Sequence, residues 1–392
     1  MAQQRIISLF GSTGSIGCSS IDLLQRDREF FAVDTLVAYR NVALLAEQAL
    51  ACHAKLAVIG DESLLPSLQE ALAGSGIEVA GGRGAVLEAA ARPVDLMVSA
   101  LVGAAGLEPT LCALGAGVQV ALANKESLVC AGHLVKAALC KAGKPLLPVD
   151  SEHNAIFQVF EGRNEAAVEK LVLTASGGPF RTLERAQMAD VTPAQALKHP
   201  NWDMGQRISI DSATMVNKGL EFIEALHLFP VSVEQVEVLV HPQSLIHSMV
   251  QYRDGSMLAQ LGTPDMRIPI SYCLNYPQRG QVPAQRLDLA QIGQMTFEAP
   301  DESRFPALAL ARQVAQLGDG AGTAYNGADE VAVAAFLQGQ IGFLRIVDCI
   351  EHVLNVLDKR QMLVQPERLE DVLGLDGEVR KLAGEYIANT GR

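Results

Sequence analysis

Aromatic side chains are scarce in this 392-residue chain: 12 Phe, 6 Tyr and one Trp, together 5% of the residues. Cationic charge is also short, with 31 Lys and Arg against 44 Asp and Glu, a formal net charge of −13. No basic tract interleaved with aromatics appears, which argues against a nucleic-acid partner. The seven cysteines, at 18, 52, 112, 130, 140, 273 and 349, are odd in number and form neither a C-x-x-C pair nor a mixed Cys/His ligand spacing. A disulfide framework and a zinc site are both disfavoured, and the thiols read as small apolar fillers in a reducing compartment. No apolar run approaches the roughly 18 residues a membrane span needs. The chain enters a strand at Arg5–Phe10, so no signal segment is expected. A soluble, cytoplasmic protein with no membrane partner is the expectation.

What is present is a long, half-apolar chain with enough residues for two or three domains. Residues 1–150 alternate short apolar strands (Ile6–Phe10, Val33–Ala38, Leu56–Ile59, Val94–Ala100, Val118–Ala123, Pro145–Val149) with Ala/Leu-rich helical stretches. That rhythm predicts an α/β fold, a Rossmann-like doubly wound parallel sheet. Residues 151–275 mix strands (Leu171–Thr174, Val236–Val240, Ser248–Tyr252, Met257–Gln260) with helices and predict a central α+β domain. A Pro/Gln/Arg-rich linker over 276–304 then leads to a helical domain over 305–392.

The segment Gly11-Ser-Thr-Gly14-Ser-Ile-Gly17 follows the first strand and opens a helix. Glycines there let the backbone approach a pyrophosphate held at a helix N-terminus. The G-x-x-G-x-x-G spacing is weak by itself, but its place in the first βαβ unit points to a dinucleotide. The second strand ends in Tyr39-Arg40-Asn41 without the acid that would hold a ribose 2′-hydroxyl. Arg40 and Asn41 suit a 2′-phosphate, which favours NADPH.

The middle of the chain concentrates polar groups. Asp150 and Glu152 follow the sixth predicted strand, and an extended chain would put both carboxylates on one side. If Ser212 caps a helix, Asn217, Lys218 and Glu221 share one face by the i, i+3, i+4 rule. Asp150, Glu152 and Glu221 are an all-oxygen set suited to Mg²⁺ or Mn²⁺. Ser176 before Gly177-Gly178, with Ser212, Asn217 and Lys218, offers donors for a phosphate, and Lys125 brings another cation to the rim of the sheet. His153, His241 and His247 read as hydrogen-bonding or packing residues, since three nitrogens added to three carboxylates would overfill such a metal site.

Several long motifs in one order carry a family resemblance: Gly11–Gly17, Ala123-Asn-Lys-Glu-Ser127, Val149-Asp-Ser-Glu-His-Asn154, Ala175-Ser-Gly-Gly-Pro-Phe180, His199–Gly205, Asp211–Glu221 and His241-Pro-Gln-Ser-Leu-Ile-His247. Across nearly its whole length the chain resembles the 1-deoxy-D-xylulose 5-phosphate reductoisomerases. The resemblance implies metal ligation by Asp150, Glu152 and Glu221, and a substrate backbone surrounded by Lys125, Ser151, Glu152 and Glu221. Its phosphate would be held by Ser176, Ser212, Asn217 and Lys218, with His199 closing over it. Thr13, Gly14, Ser15, Ile16, Arg40, Asn41, Asn124, Glu126 and Gly205 would meet the cofactor. Tyr39 departs from the glycine often found there, although its backbone can still meet the cofactor. A homodimer through the central domain is implied as well.

Such a site fits metal-assisted retro-aldol and aldol rearrangement of a sugar phosphate, followed by reduction with NADPH. Lys125, Glu152 and metal-bound water are all candidates for moving protons, while His199 and Glu221 complete the catalytic set. Two other readings compete: a metal-free NADP-linked dehydrogenase, which leaves the three carboxylates unexplained, and a non-catalytic dinucleotide sensor, for which a phosphate pocket is superfluous. The Pro/Asn/Gly-containing segment His199–Gln206 reads as a mobile lid with Trp202 as its aromatic cover.

Overall fold

The computed structural model describes residues 4–202 and 204–390. The chain forms two compact units. The first runs to Ser127 and adds Val135–Asp150 and Met266–Ala284; the second comprises Leu128–Leu134, Ser151–Asp265 and the chain from Gln285 onward.

In the first unit seven strands, β1 (Arg5–Phe10), β2 (Phe31–Ala38), β3 (Leu56–Ile59), β4 (Glu78–Gly81), β5 (Leu96–Ser99), β6 (Gln119–Leu122) and β7 (Leu147–Pro148), pair in the order β4-β3-β2-β1-β5-β6-β7. All pairs are parallel. Their near-continuous Val/Ile/Leu runs reflect burial on both faces, with Ile7, Leu9, Phe10, Leu36 and Leu96 fully enclosed. Strand β4 escapes the sequence reading because Glu78-Val-Ala-Gly81 is a short edge strand that is exposed or half-buried throughout. Order reverses between β1 and β5, and the crevice beyond their carboxyl ends is where such sheets take ligands.

In the second unit β8 (Val168–Ala175), β9 (Val236–Val240), β10 (Ile246–Tyr252) and β11 (Met257–Leu261) form a mixed sheet ordered β11-β10-β8-β9, with β8 and β9 parallel and the other pairs antiparallel. The four predicted strands are all there.

The domain boundaries differ from those expected. The helix Arg267–Asn275 belongs to the first unit, where it packs on the helix Ser15–Arg26 and Arg267 pairs with Asp22 at 3.1 Å. Within the expected linker, Glu298 bridges to Val240 at the end of β9. The C-terminal helices share one core with the central sheet unit rather than building their own: Phe222, Leu308, Tyr325, Phe336 and Ile350 belong to a single cluster. Gly219 explains the closeness, since a Cβ there would lie 2.4 Å from the Tyr325 hydroxyl and 2.9 Å from the Ala311 Cβ. No helix among the described residues is long and apolar enough to cross a membrane.

Candidate active site

At the switch point of the first unit, Gly11 follows β1 with φ +93°. A Cβ there would meet the Ala100 carbonyl oxygen at 2.3 Å, and one on Gly17 would meet the Gly11 and Ser12 carbonyls at 2.2 and 2.3 Å. Gly14 has room, its nearest neighbour being 3.5 Å away. Two of the three glycines are therefore demanded by close backbone packing. The turn is tied to β2 by the Gly11 and Ser12 N–H groups, which donate to the Val37 carbonyl at 2.8 and 2.9 Å. The helix Ser15–Arg26 has Gly14 as its N-cap and no side-chain cap, so its leading N–H groups stay available to an anion. Thr13, Gly14, Ser15 and Ile16 all lie on this turn.

At the end of β2, Arg40 is largely exposed and faces Asp61 at 3.3 Å. The Asn41 side chain accepts from the Leu44 N–H at 3.2 Å and caps the next helix. Tyr39 is exposed, its ring lying where a Cβ on Gly60 would collide at 2.7 Å. Beyond β6, buried Asn124 donates to the Gly103 carbonyl at 2.9 Å and to Glu126 at 2.8 Å, while Glu126 accepts from the Gly103 N–H at 3.2 Å. Lys125 is buried and paired with Asp150.

Two local expectations are corrected in the second unit. Ser151 opens the helix Ser151–Val159, so Glu152 sits in a first helical turn and the extended-chain argument for Asp150 and Glu152 does not hold. Carboxylates favour that position because of the helix dipole. Ser212 is not an N-cap: it lies inside the helix Gln206–Thr214. The next helix, Val216–Leu228, begins after Met215 takes a left-handed conformation with φ +64°. The Val216 N–H donates to the Thr214 hydroxyl at 3.3 Å, a role the sequence reading gave to Ser212.

The shared helical face nevertheless forms. Asn217 donates to Glu221 Oε1 at 2.5 Å, and Lys218 pairs with Glu221 one turn on and with Glu152 Oε1 at 2.8 Å. Burial opposes the charge on Lys218, but Glu152 and Glu221 outweigh it and hold the ammonium above its ordinary pKa. Two carboxylates thus converge on one buried cation, and their oxygens fit a hard divalent ion. Beneath them, His153 Nε2 lies 2.9 Å from the Glu221 carbonyl oxygen and its Nδ1 lies 3.2 Å from Glu224.

Ser176 directly follows β8. Gly178, at φ +68°, approaches the Ser212 carbonyl so closely that a Cβ would lie 2.7 Å from it. That contact seats the Ser176 turn on the helix carrying Ser212. The Ser176 hydroxyl accepts from the Gly178 N–H at 3.1 Å and lies 2.8 Å from His199 Nε2. His199 Nδ1 accepts from the Asn201 and Trp202 N–H groups at 3.2 and 2.9 Å, so the neutral ring carries its proton on Nε2 and donates it to Ser176. Burial lowers the His199 pKa to about 4, in keeping with that neutral form. Asn201 donates to the Pro242 carbonyl at 2.5 Å and to Ser244 at 3.1 Å, and the Trp202 ring meets His247 at 5.9 Å. Pro242, Ser244 and His247 belong to the His241–His247 motif picked out in the sequence, where nothing in the local pattern paired it with the predicted lid. Asp203, within that segment, lies outside the described residues. His241 is hydrogen-bonded to the Thr296 carbonyl at 2.9 Å and to the Leu245 N–H at 3.2 Å.

A glycine turn at the switch point of a parallel sheet, joined in one chain to a carboxylate and lysine centre, defines the class of dinucleotide-linked oxidoreductases with a separate substrate unit. Family models agree: "1-deoxy-D-xylulose 5-phosphate reductoisomerase" matches residues 7–132, its C-terminal domain matches 146–229, and the "DXP reductoisomerase C-terminal domain" matches 261–382. A 1-deoxy-D-xylulose 5-phosphate reductoisomerase of Rhodospirillum centenum is 53% identical over 384 residues, covering 98% of this chain and 94% of that one. Its Zymomonas mobilis counterpart is 52% identical, covering 97% of each. The solved Zymomonas mobilis enzyme in complex with NADPH superposes with a TM-score of 0.92 at 51% identity, covering 98% of this chain and 99% of that one. A DOX-P reductoisomerase in complex with NADPH, fosmidomycin and magnesium gives 0.94 at 40% identity, covering 98% of each. The chain belongs to the 1-deoxy-D-xylulose 5-phosphate reductoisomerase family.

Proposed function

We infer that this chain is an NADPH-dependent, divalent-metal-dependent reductoisomerase that converts 1-deoxy-D-xylulose 5-phosphate to 2-C-methyl-D-erythritol 4-phosphate. The observation that carries the reading is the convergence of Glu152 and Glu221 on Lys218, with Asn217 donating to Glu221 from one helical turn away. Asp150, joined to Ser151 by its peptide bond, is the third ligand in this reading, with Mg²⁺ or Mn²⁺ as the ion. When bound, the metal supplies Lewis acidity at adjacent substrate oxygens and NADPH supplies the hydride.

The chain's own residues do the rest. Ser176, Ser212, Asn217 and Lys218 bind the phosphate, which fixes the distance between that end and the reacting carbons. Neutral His199 donates from Nε2 and so adds a hydrogen bond to a phosphate oxygen without requiring a proton from solvent. Lys125, Ser151 and Glu152 orient the substrate's hydroxyls, and Lys125 or Glu152 moves the proton. Trp202 excludes water above the carbon skeleton. Thr13, Gly14, Ser15 and Ile16 take the pyrophosphate, Tyr39, Arg40 and Asn41 the adenosine end, and Asn124, Glu126 and Gly205 the remainder of the cofactor.

Two further assignments belong to this reading. The edge strand β11, which pairs on one side only among the described residues, exposes Met257, Leu258 and Leu261, which supports a homodimer through the central sheet. All seven cysteines are free thiols, which supports a reducing, cytoplasmic location.

The test is to incubate the protein with 1-deoxy-D-xylulose 5-phosphate, NADPH and Mg²⁺ and to follow the product by NMR. Stoichiometric 2-C-methyl-D-erythritol 4-phosphate, abolished by EDTA, is expected. NADPH oxidation that persists in EDTA would support the metal-free dehydrogenase instead, and binding of NADPH without any turnover would support the sensor.

A further inference from the structure

The helix Gln206–Thr214 carries Ser212, and its other side is fixed by a web of buried charge that the reaction does not use. Arg207 on its first turn forks to three residues of the helix Asp319–Leu337: Nη1 donates to Glu330 at 2.9 Å, and Nη2 donates to Asn326 at 2.7 Å and to Asp329 at 3.3 Å. Its Nε faces Asp211 one turn on, at 3.4 Å. Glu330 is shared with Arg380 of the C-terminal helix at 2.5 Å, and Arg380 is held in turn by Asp376 at 2.6 Å. Asp211, Asn326 and Asp329 are all buried.

A buried web of this kind is weak evidence for stability, because desolvation opposes the Coulomb gain, but its fork geometry fixes orientation. Here it fixes the helix in rotation and along its axis at Arg207, whose guanidinium is steadied from within the same helix by Asp211 one turn on. The residue after Asp211 is Ser212, whose carbonyl is the surface on which the Gly178 turn and hence Ser176 are seated. The web therefore reaches two groups assigned to the phosphate without touching it. The neighbouring helix Val216–Leu228 has its own anchor on the same helix, where Gly219 abuts Tyr325. Both phosphate-bearing helices thus lean on Asp319–Leu337.

We propose that Arg207, locked by Asp211, Asp329 and Glu330, is a positioning residue that sets the substrate-phosphate subsite, so that the C-terminal helices act as its scaffold. This rests on the reading of Ser176 and Ser212 as phosphate ligands.

The experiment compares steady-state kinetics of the full-length wild type with Arg207→Met, Arg207→Lys and Asp329→Asn, together with Tm. Wild-type turnover of 1-deoxy-D-xylulose 5-phosphate comes first: its absence would defeat the functional reading itself and is separate from what the variants report. Given turnover, Arg207→Met is expected to raise the substrate KM about tenfold or more while kcat and the NADPH KM change less than about threefold, the pattern of lost uniform binding. Arg207→Lys, which keeps the charge but not the fork, should fall between. An unchanged substrate KM in Arg207→Met, or a parallel loss in kcat and both KM values, would overturn the assignment. Should Arg207→Met fail to fold, Asp329→Asn, which removes a charge without leaving a cavity, must show the same split; no split there would overturn it equally.

Discussion

The two ligand-binding regions of this molecule are built on opposite principles. In the first unit the glycine turn uses backbone: Gly11 and Gly17 are fixed by carbonyl oxygens that leave no space for a Cβ, and the helix that follows has no side-chain cap on its first N–H groups. In the second unit the centre uses side-chain groups: a buried ammonium between two carboxylates, and a serine that meets a neutral histidine. The first tolerates any sequence that preserves conformation. The second tolerates very little, because removing one buried charge strands its partner.

The sharpest way to break that contrast is Lys218→Met. It leaves Glu152 and Glu221 facing each other without their cation, and kcat/KM should fall by about a thousandfold or more. Added Mg²⁺ or Mn²⁺ should raise the Tm of this variant more than that of the wild type, because the ion relieves the carboxylate repulsion; equal shifts in a thermal melt would argue against a shared cation position.

The backbone region should respond to shape rather than charge. Gly11→Ala puts a Cβ into the Ala100 carbonyl at a left-handed φ and should cost about 2–4 kcal/mol of stability, with NADPH binding weakened alongside. Gly14→Ala meets nothing closer than 3.5 Å and should stay within about 1 kcal/mol of wild type by chemical denaturation. If the two alanines behaved alike, the close-packing account of the turn would be wrong.

Arg40→Glu tests a place where the first unit is read as relying on side-chain charge to hold its cofactor. The NADPH KM should rise about tenfold with kcat little changed, and preference for NADPH over NADH should shrink. An unaltered preference would remove Arg40 from the 2′-phosphate.

The smallest effect concerns pH. Burial, reinforced by Glu330 and opposed by Arg207, raises the Asp329 pKa from its ordinary 3.8 to about 6. The native state therefore holds this proton more tightly than the unfolded chain, and stability attributable to Asp329 is present below pH 3.8 and lost as pH rises toward about 6. Asp211, Arg207, Glu330, Tyr325 and Cys349 are the titratable groups around it. In Asp329→Asn the fall in Tm across that window should be shallower than in wild type; parallel curves would contradict the raised pKa.

The contrast also explains what the sequence made legible. Periodicity found six of the seven parallel strands and all four of the mixed sheet, because buried strands advertise themselves by apolar runs. Edge strand β4 has no such run. The common face of Asn217, Lys218 and Glu221 followed from helical spacing alone, but the helix start did not: the break at Met215 depends on a left-handed residue that is not glycine, and Thr214 rather than Ser212 meets the free N–H. The helix opening at Ser151 was masked by the apolar strand before it. Arg207 and Asp211 stood at i, i+4 in plain view, yet their partners lie more than a hundred residues further along the chain and could not be read from local pattern.

The most direct test of the account is a Mn²⁺ titration of substrate-dependent NADPH oxidation in wild type and Glu221→Gln. Wild type should show saturable activation, while the variant should need at least about a hundredfold more metal or remain inactive. Saturation of the variant at the wild-type metal concentration, with full activity, would contradict a metal centre built on Glu221.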